Sequence, residues 1–187
     1  MLAQLRPAFV MLTLLSLLTG AVYPAAITGV SQLLFPHQAQ GSLIEKGGHV
    51  IGSSLIGQTF SSPKYFQSRP SAAGTGYDAS ASSGSNLGPT SKALIERVQT
   101  DVVRWTKLHP GTAVPSDLVT TSASGLDPHI SPQAAEYQVE SVAAARKLTP
   151  NQVRELVSAH TQPRTLGFIG EPTVNVLELN LALDRLQ

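Results

Sequence analysis

The stretch LRPAFVMLTLLSLLTGAVYPAAITGVSQLLF, Leu5 to Phe35, decides how the rest of the chain is read. It carries no charged side chain after Arg6, and the next charge is Glu45, a run of about 38 residues. A run this long and this rich in Leu, Val, Ala and Phe is the pattern of a membrane span. As a helix from Pro7 to Phe35 it reaches roughly 43 Å at about 1.5 Å per residue, more than the roughly 30 Å of bilayer hydrocarbon. A cleaved secretory signal is the competing reading, because one basic residue, an apolar core and small residues around Ala21 to Ala26 also fit it. Such a core is only about 7 to 15 residues long, and here hydrophobicity resumes at Ile27, Val30, Leu33, Leu34 and Phe35. The chain therefore divides into a cytoplasmic end, 1–6, a single transmembrane helix, 7–35, and an extracytoplasmic domain, 36–187. Arg6 and the terminal amine set that orientation by the excess of positive charge on the cytoplasmic side.

The span has internal detail. Thr13, Ser16, Gly20 and Pro24 recur at helical spacing, with Ala21, Ala25 and Gly29 as a second row, and small residues so placed let membrane helices approach closely. Pro24 is expected to kink the helix. No charged group lies within it, so this helix alone offers no ion path.

The remainder is long enough for one domain with its own core. The whole chain holds 13 basic and 12 acidic residues, and setting Arg6 aside leaves the domain balanced, which argues against a nucleic-acid surface. There is no cysteine, hence no disulfide, thiolate metal site or lipoprotein anchor.

Local patterns predict a mixed, α+β domain. Gly47 and Gly48 turn a hairpin between strands near Ser42–Ile44 and His49–Ile51. The Ser-, Gly-, Ala- and Pro-rich region that follows, to Pro89, is longer than ordinary connections and is expected to be ordered around Tyr65, Phe66 and Tyr77. A helix starting at Thr90 or Ser91 presents Leu94, Ile95, Val98, Val102 and Trp105 as one apolar stripe, and His109, Pro110 and Gly111 stop it. Ser131 and Pro132 open a second helix, whose buried side is Ala135, Val139 and Val142. Thr149 and Gln152 form a capping box for a third. The end, TVNVLELNLALDRL, combines a strand alternation at Val174 and Val176 with a helical close whose boundary the pattern does not mark.

The residue types bear on three chemistries. Ser124, Asp127 and His129 are the residue types of a nucleophile, orienter and base, which would make a membrane-anchored envelope serine hydrolase. Yet no G-x-S-x-G elbow exists, since Gly52 and Gly57 are wrongly spaced, and the bland reading gives Asp127-Pro128 to a turn and Ser131 to a cap. The five histidines, His37, His49, His109, His129 and His160, are scattered without a helical zinc pair, so no metal is expected. SSGSNLGPTSK lacks the Gly-Lys-Ser/Thr end of a phosphate loop, because Gly88 is followed by Pro89.

Taken in order, GSSLIGQTF, YFQSRPSA, SSGSNLGP, VPSDLVTTSASGLDPHISP and GEPTVNVLELNLAL, behind a span carrying LTG and YP, resemble the C-subunit family (KdpC) of the potassium-transporting Kdp ATPase. The resemblance covers nearly the whole chain. It implies a non-catalytic accessory subunit in the bacterial inner membrane, with a periplasmic domain. Its partners would be a channel-like potassium-binding subunit and a P-type ATPase subunit, and ATP and potassium would belong to the complex. The family is described as a catalytic chaperone that raises ATP affinity, with a nucleotide contact in the segment matching Leu148–Val153, where Gln152 is the candidate. Topology opposes that contact, because one span puts Gln152 outside, and the capping box explains the residue without nucleotide. The motif loops, through Tyr65, Phe66, Arg69, Ser85, Asn86, Asp127 and His129, are the expected contact surface for the partner or its ion mouth. The family pattern also leads one to expect glycine where Ser68 precedes Arg69, with strain if that position needs a positive φ.

An anchor predicts that the chain extracted from membranes has the intact mass of the full sequence. A mature N-terminus near Ala25 or Ala26 would instead identify a secreted binding protein.

Overall fold

A computed structural model of the chain describes residues 2–186. Its contacts divide the chain after Ile51 into two units.

The first unit is dominated by one helix, Leu5–Leu34, which is the one helix among the described residues long and apolar enough to cross a membrane. Its large apolar side chains, from Phe9 to Phe35, are exposed, as expected where lipid or other helices are the surroundings. It consists of α1, Leu5–Leu17, a π-helical turn, Leu18–Val22, and α2, Tyr23–Leu34. Across that turn the Tyr23 N–H donates to the Leu18 carbonyl, five residues back. A π-turn is the local remedy for Pro24, which has no N–H and would collide with the carbonyl four residues earlier in a regular α-helix. The expected kink is thus met by a widened turn. Because that turn takes up more residues than an α-turn, Ser16, Gly20 and Pro24 come nearly into line along the axis. Thr13 and Thr19 do not project free hydroxyls: each donates back to its own helix, to Phe9 O at 2.8 Å and Leu15 O at 2.7 Å. After one helical turn, α3, Pro36–Ala39, the hairpin strands β1, Leu43–Lys46, and β2, His49–Ser53, pair through Gly47 and Gly48. Both glycines have positive φ, 62° and 79°, as the tight hairpin turn requires.

The second unit begins at Gly52. A long irregular segment leads to α4, Lys92–Leu108, then β3, His129–Ile130; α5, Pro132–Arg146; α6, Pro150–Ala159; β4, Thr161–Gln162; β5, Thr173–Asn175; and α7, Val176–Asp184. The three short strands form an antiparallel sheet in the order β3-β5-β4, with His129 opposite Asn175 and Thr161 opposite Val174. α5 contacts α6 and β5, and α7 contacts α6 and β5. Ile130, Val139, Val142, Val153, Val174 and Leu179 meet in the core between them.

Helix boundaries follow their caps. Ser131 Oγ accepts from Ala134 N to open α5. The predicted capping box at α6 is formed in both directions by Thr149 and Gln152. Asn175, the last strand residue, caps α7 by accepting from Glu178 N, so the boundary missing from the pattern is one polar side chain. The apolar stripe expected on α4 is corrected: Trp105 is buried and Val98 touches the core, but Ile95 and Val102 are exposed, because neighbouring elements cover only part of this helix.

The irregular segment runs through the core, where its backbone has no strand to pair with. Phe66, with no exposed surface, fills the centre, and its N–H and C=O are both taken by the buried Asn180 amide, at 2.9 and 3.0 Å. The next peptide group is held the same way by Gln138, which accepts from Gln67 N at 2.8 Å and donates to Gln67 O at 3.1 Å. Just upstream, Arg146 donates to Lys64 O and Leu183 O and pairs with Asp184 at 2.8 Å, with its guanidinium 4.8 Å from the centre of the Tyr65 ring. Two side-chain amides and one arginine do the work of a missing strand partner.

Asn180→Ala leaves a buried donor and a buried acceptor of Phe66 unpaired, at about 1–3 kcal/mol each. The expected loss of about 2–4 kcal/mol is measurable by chemical denaturation of the detergent-solubilised chain; a change under about 0.5 kcal/mol would contradict the clamp.

Candidate functional site

The motif strings converge in the second unit as a set of interlocked loops. Gly57 N donates to Leu126 O at 2.8 Å, Ser83 N to Ser124 O at 3.0 Å, and Ser71 Oγ to Gly125 O at 2.6 Å. Ser71 Oγ in turn accepts from Tyr77 N and Ala73 N. Gly125 is obligatory here: its φ is 68°, and a Cβ would lie 2.6 Å from Ser83 O and 2.7 Å from Ala73 N. The segments 52–60, 65–72, 82–89 and 122–131 therefore hold one another.

At the surface of this assembly sits Arg69. Its main-chain carbonyl accepts from the Tyr77 hydroxyl at 2.6 Å. Its guanidinium reaches Thr120 O, Thr121 O and Asp127, the last at 3.4 Å. Asp127 Oδ1 also accepts from His129 N at 3.0 Å and lies 3.4 Å from His129 Nδ1. Arg69, Asp127 and His129 are each about a quarter to a third exposed, so the group is wetted. Arg69 lines three open depressions, two of them walled mainly by polar residues. One, about 380 Å³, is lined by Asp117, Thr120, Asp127, His129 and Glu171. The other, about 460 Å³, is lined by Phe60, Gln67, Tyr77, Asp101 and Arg104.

Burial alone would raise the Asp127 pKa, but the hydrogen bonds from the His129 side chain and backbone, with the Arg69 charge, outweigh it and lower the value. Burial is also the main reason the Tyr77 hydroxyl titrates above its ordinary range, keeping it a donor to the Arg69 carbonyl.

The expected site residues fare differently. Arg69, Asp127 and His129 are brought together. Tyr65 is turned inward, its hydroxyl on Asp184 at 3.2 Å and its ring against Arg146. Phe66 is corrected outright as a contact anchor: a side chain with no exposed surface belongs to the core. Ser85 and Asn86 lie on the adjoining loop, with Asn86 exposed and left-handed at φ 51°. Ser68 is not among the residues with positive φ, so the expected serine strain does not arise. Gln152 stays in its capping box, its Oε1 accepting from the Thr149 N–H and hydroxyl. The depression beside it, about 420 Å³, is lined by Leu148, Glu155, Leu156, Ala159 and Leu186, with no cationic side chain among the described residues to meet phosphates.

The hydrolase constellation is not assembled. Ser124 Oγ accepts from Leu126 N at 3.1 Å within its own turn, while His129 faces Asp127. Among the described residues no group of three or more His, Asp or Glu could hold a metal ion. The arrangement suits polar recognition at a rigid surface, with an arginine held in place by two carbonyls and a carboxylate.

Sequence reasoning passed over the buried polar residues that hold this surface up: Gln138, Arg146, Asn175 and Asn180. Each was visible as a polar residue in phase with apolar ones, such as Asn180 between Leu179 and Leu183, and that mismatch was the available signal.

Comparison with known proteins gives a consistent result. A family model described as the K+-transporting ATPase c chain, KdpC, matches residues 5–185. The chain is 55% identical over 197 residues to a potassium-transporting ATPase KdpC subunit of Bradyrhizobium diazoefficiens, covering 99% of this chain and 98% of the relative. It is 56% identical over 185 residues to one of Caulobacter vibrioides, covering 98% and 94%, and 55% identical over 186 residues to one of Rhodospirillum rubrum, covering 98% and 96%.

The lowered Asp127 pKa means that its contribution to stability is present above the ordinary carboxylate value, 3.8, and is lost as pH falls through the lower folded value. Asp127→Asn should accordingly be less stable than the parent at neutral pH, with the difference shrinking below about pH 4 in acid-denaturation curves. A difference that grew on acidification would contradict this assignment.

Proposed function

This chain belongs to the KdpC family, the c chain of the K+-transporting ATPase, and from that premise we propose how it acts as an accessory subunit of the complex. The helix Leu5–Leu34 anchors it in the bacterial inner membrane with the N-terminus inside, and the second unit lies on the periplasmic side. There the unit covers the outer mouth of the channel-like potassium-binding subunit and stabilises or gates the assembly with the P-type ATPase subunit.

The observation that carries this reading is the line Ser16, Gly20 and Pro24, drawn together by the π-turn on a helix that also exposes many large apolar side chains. Apart from their chain neighbours and the backbone of their own helix, neither Gly20 nor Gly29 has any atom within 4 Å of where a Cβ would stand. A groove of small residues on a spanning helix offers a close approach to another helix, and lipid tails gain nothing from it. Thr13 extends the line toward the N-terminus but with its hydroxyl already bonded. On the periplasmic side, Arg69, Asp127 and His129 form the polar part of the contact surface, with Tyr65 behind them as a support and Ser85 and Asn86 at its edge.

The chaperone role described for the family then works at a distance. With the domain outside, raising the ATP affinity of the ATPase subunit is a coupling free energy relayed through contacting membrane helices, and Gln152 takes no part in binding nucleotide. The envelope hydrolase reading is not favoured, since Ser124 is committed to its own turn.

Replacing both Ser16 and Gly20 by leucine should lower recovery of the partner subunits with the tagged chain by roughly ten-fold, the effect of about 1–2 kcal/mol. Ala26→Leu, about half a turn away by the helical repeat, should leave recovery unchanged. Unchanged assembly of the double variant would remove the docking role.

A further inference from the structure

The connection between β4 and β5 is built unlike the other loops. Its sequence, RTLGFIGE, folds as a ribbon in which Thr165 and Ile169 bridge each other, and Arg164 and Glu171 pair at 2.6 Å below the bridge. At and beyond the bridge, Leu166 is 79% exposed, Phe168 74% and Ile169 51%. None of the three belongs to the core cluster. Large apolar side chains concentrated at one tip are a different matter from scattered surface leucines, because together they make a contiguous patch that needs an occupant.

Three features indicate what that occupant is. First, the tip satisfies much of its own backbone: Thr165 N donates to Ile169 O, Ile169 N to Thr165 O, Gly167 N to Arg164 O and Phe168 N to Thr165 O, at 2.9–3.3 Å. A tip whose backbone is closed in this way loses little when it leaves bulk water. Second, the charges at the base cancel in the Arg164–Glu171 pair, so the tip carries no uncompensated charge into an apolar medium. Third, the domain is tethered: only residues 35–51 separate it from the end of the helix that is long and apolar enough to cross the bilayer. The lipid surface is therefore always close at hand at high effective concentration. The turn is shaped to present its side chains outward, with Leu166 itself left-handed at φ 53° and Gly167 and Gly170 at 84° and 79°. A leucine held there is strained, and such strain marks segments kept for a purpose other than stability.

We propose that Leu166, Phe168 and Ile169 form a wedge that enters the interfacial layer of the same bilayer that the N-terminal helix crosses, giving the domain a second, shallow attachment to lipid. This rests on the anchoring of residues 5–34 but not on which side of the membrane the domain occupies. Two attachments fix the tilt of a domain that a single flexible tether would leave free, so the wedge sets which face the domain turns to its surroundings.

The test places a tryptophan at the tip. The full chain with Phe168→Trp is reconstituted in vesicles of phosphatidylcholine and phosphatidylglycerol whose acyl chains carry bromine at shallow or deep positions. The chain's one native tryptophan, Trp105, is buried in the core and serves as a constant background and a check of folding. The added emission should be blue-shifted and quenched chiefly by shallow bromines, matching entry of about 5–10 Å. Adding Leu166→Ser and Ile169→Ser to that variant should abolish the quenching while leaving the Trp105 signal intact. Red, unquenched emission from the single variant overturns the wedge, and so does shielding that appears only when partner subunits are reconstituted with it, since the tip then sits on protein. A chain stripped from the vesicles by alkaline carbonate fails earlier, at the anchor, and takes the wedge with it.

Discussion

The amide of Asn180 on the peptide groups flanking Phe66 is the contact on which the rest of the second unit depends. An irregular chain cannot cross a core for free, because each buried N–H and C=O needs a partner and there is no neighbouring strand to supply one. Here the partners come from helices: Asn180 on α7, then Gln138 on α5, then Arg146 at the end of α5. Each satisfies both a side chain's own polar atoms and the loop's, so removing any one leaves several groups unpaired at once. Once Phe66 and Gln67 are fixed, the position of Arg69 two residues on is no longer free. The surface formed by Arg69, Asp127 and His129 is thus set from below by polar groups that never meet solvent.

The same accounting governs the N-terminal apolar helix, the candidate membrane span. Pro24 removes one donor, and the chain answers with a π-turn and not with an open kink. Thr13 and Thr19 turn their hydroxyls onto carbonyls of their own helix, which satisfies those two donors without water. What remains on the outside is shape: a line of small residues among bulky ones. At the ribbon tip the arrangement is similar, with backbone bonds closed inward and apolar side chains left outside. In both regions backbone bonds are closed inward and large apolar side chains stand outside.

Several local features were legible because the forces behind them are local. The glycine pair turning β1 into β2, the Ser131 cap and the Thr149–Gln152 capping box depend on residues within three or four positions of one another. The α4 stripe failed for the opposite reason. Its period predicts a helix, and the helix is there, but how much of it is covered depends on elements far away in sequence, and Ile95 at 53% exposure is left uncovered. Phe66 could be read as an aromatic with something to bury, and whether it buried itself in a partner or in its own core was decided by α5 and α7. Ser124, Asp127 and His129 were close in sequence yet do not form a relay, because the left-handed Gly125 turns the chain after Ser124, whose hydroxyl accepts from Leu126 N.

The sequence by itself determined the long apolar helix, the helix caps, the hairpin and, through long unbroken motifs, membership of the KdpC family, since each is written in neighbouring residues or in contiguous strings. Only the tertiary structure decided that the motif loops hold one another, that Phe66 is core, that Arg69 is the polar centre of the surface, and that Leu166, Phe168 and Ile169 stand clear of it. The physical reason is that burial and polar satisfaction are properties of groups brought together across the chain: Asn180 and Phe66 lie 114 positions apart, and neither residue's role exists until they meet.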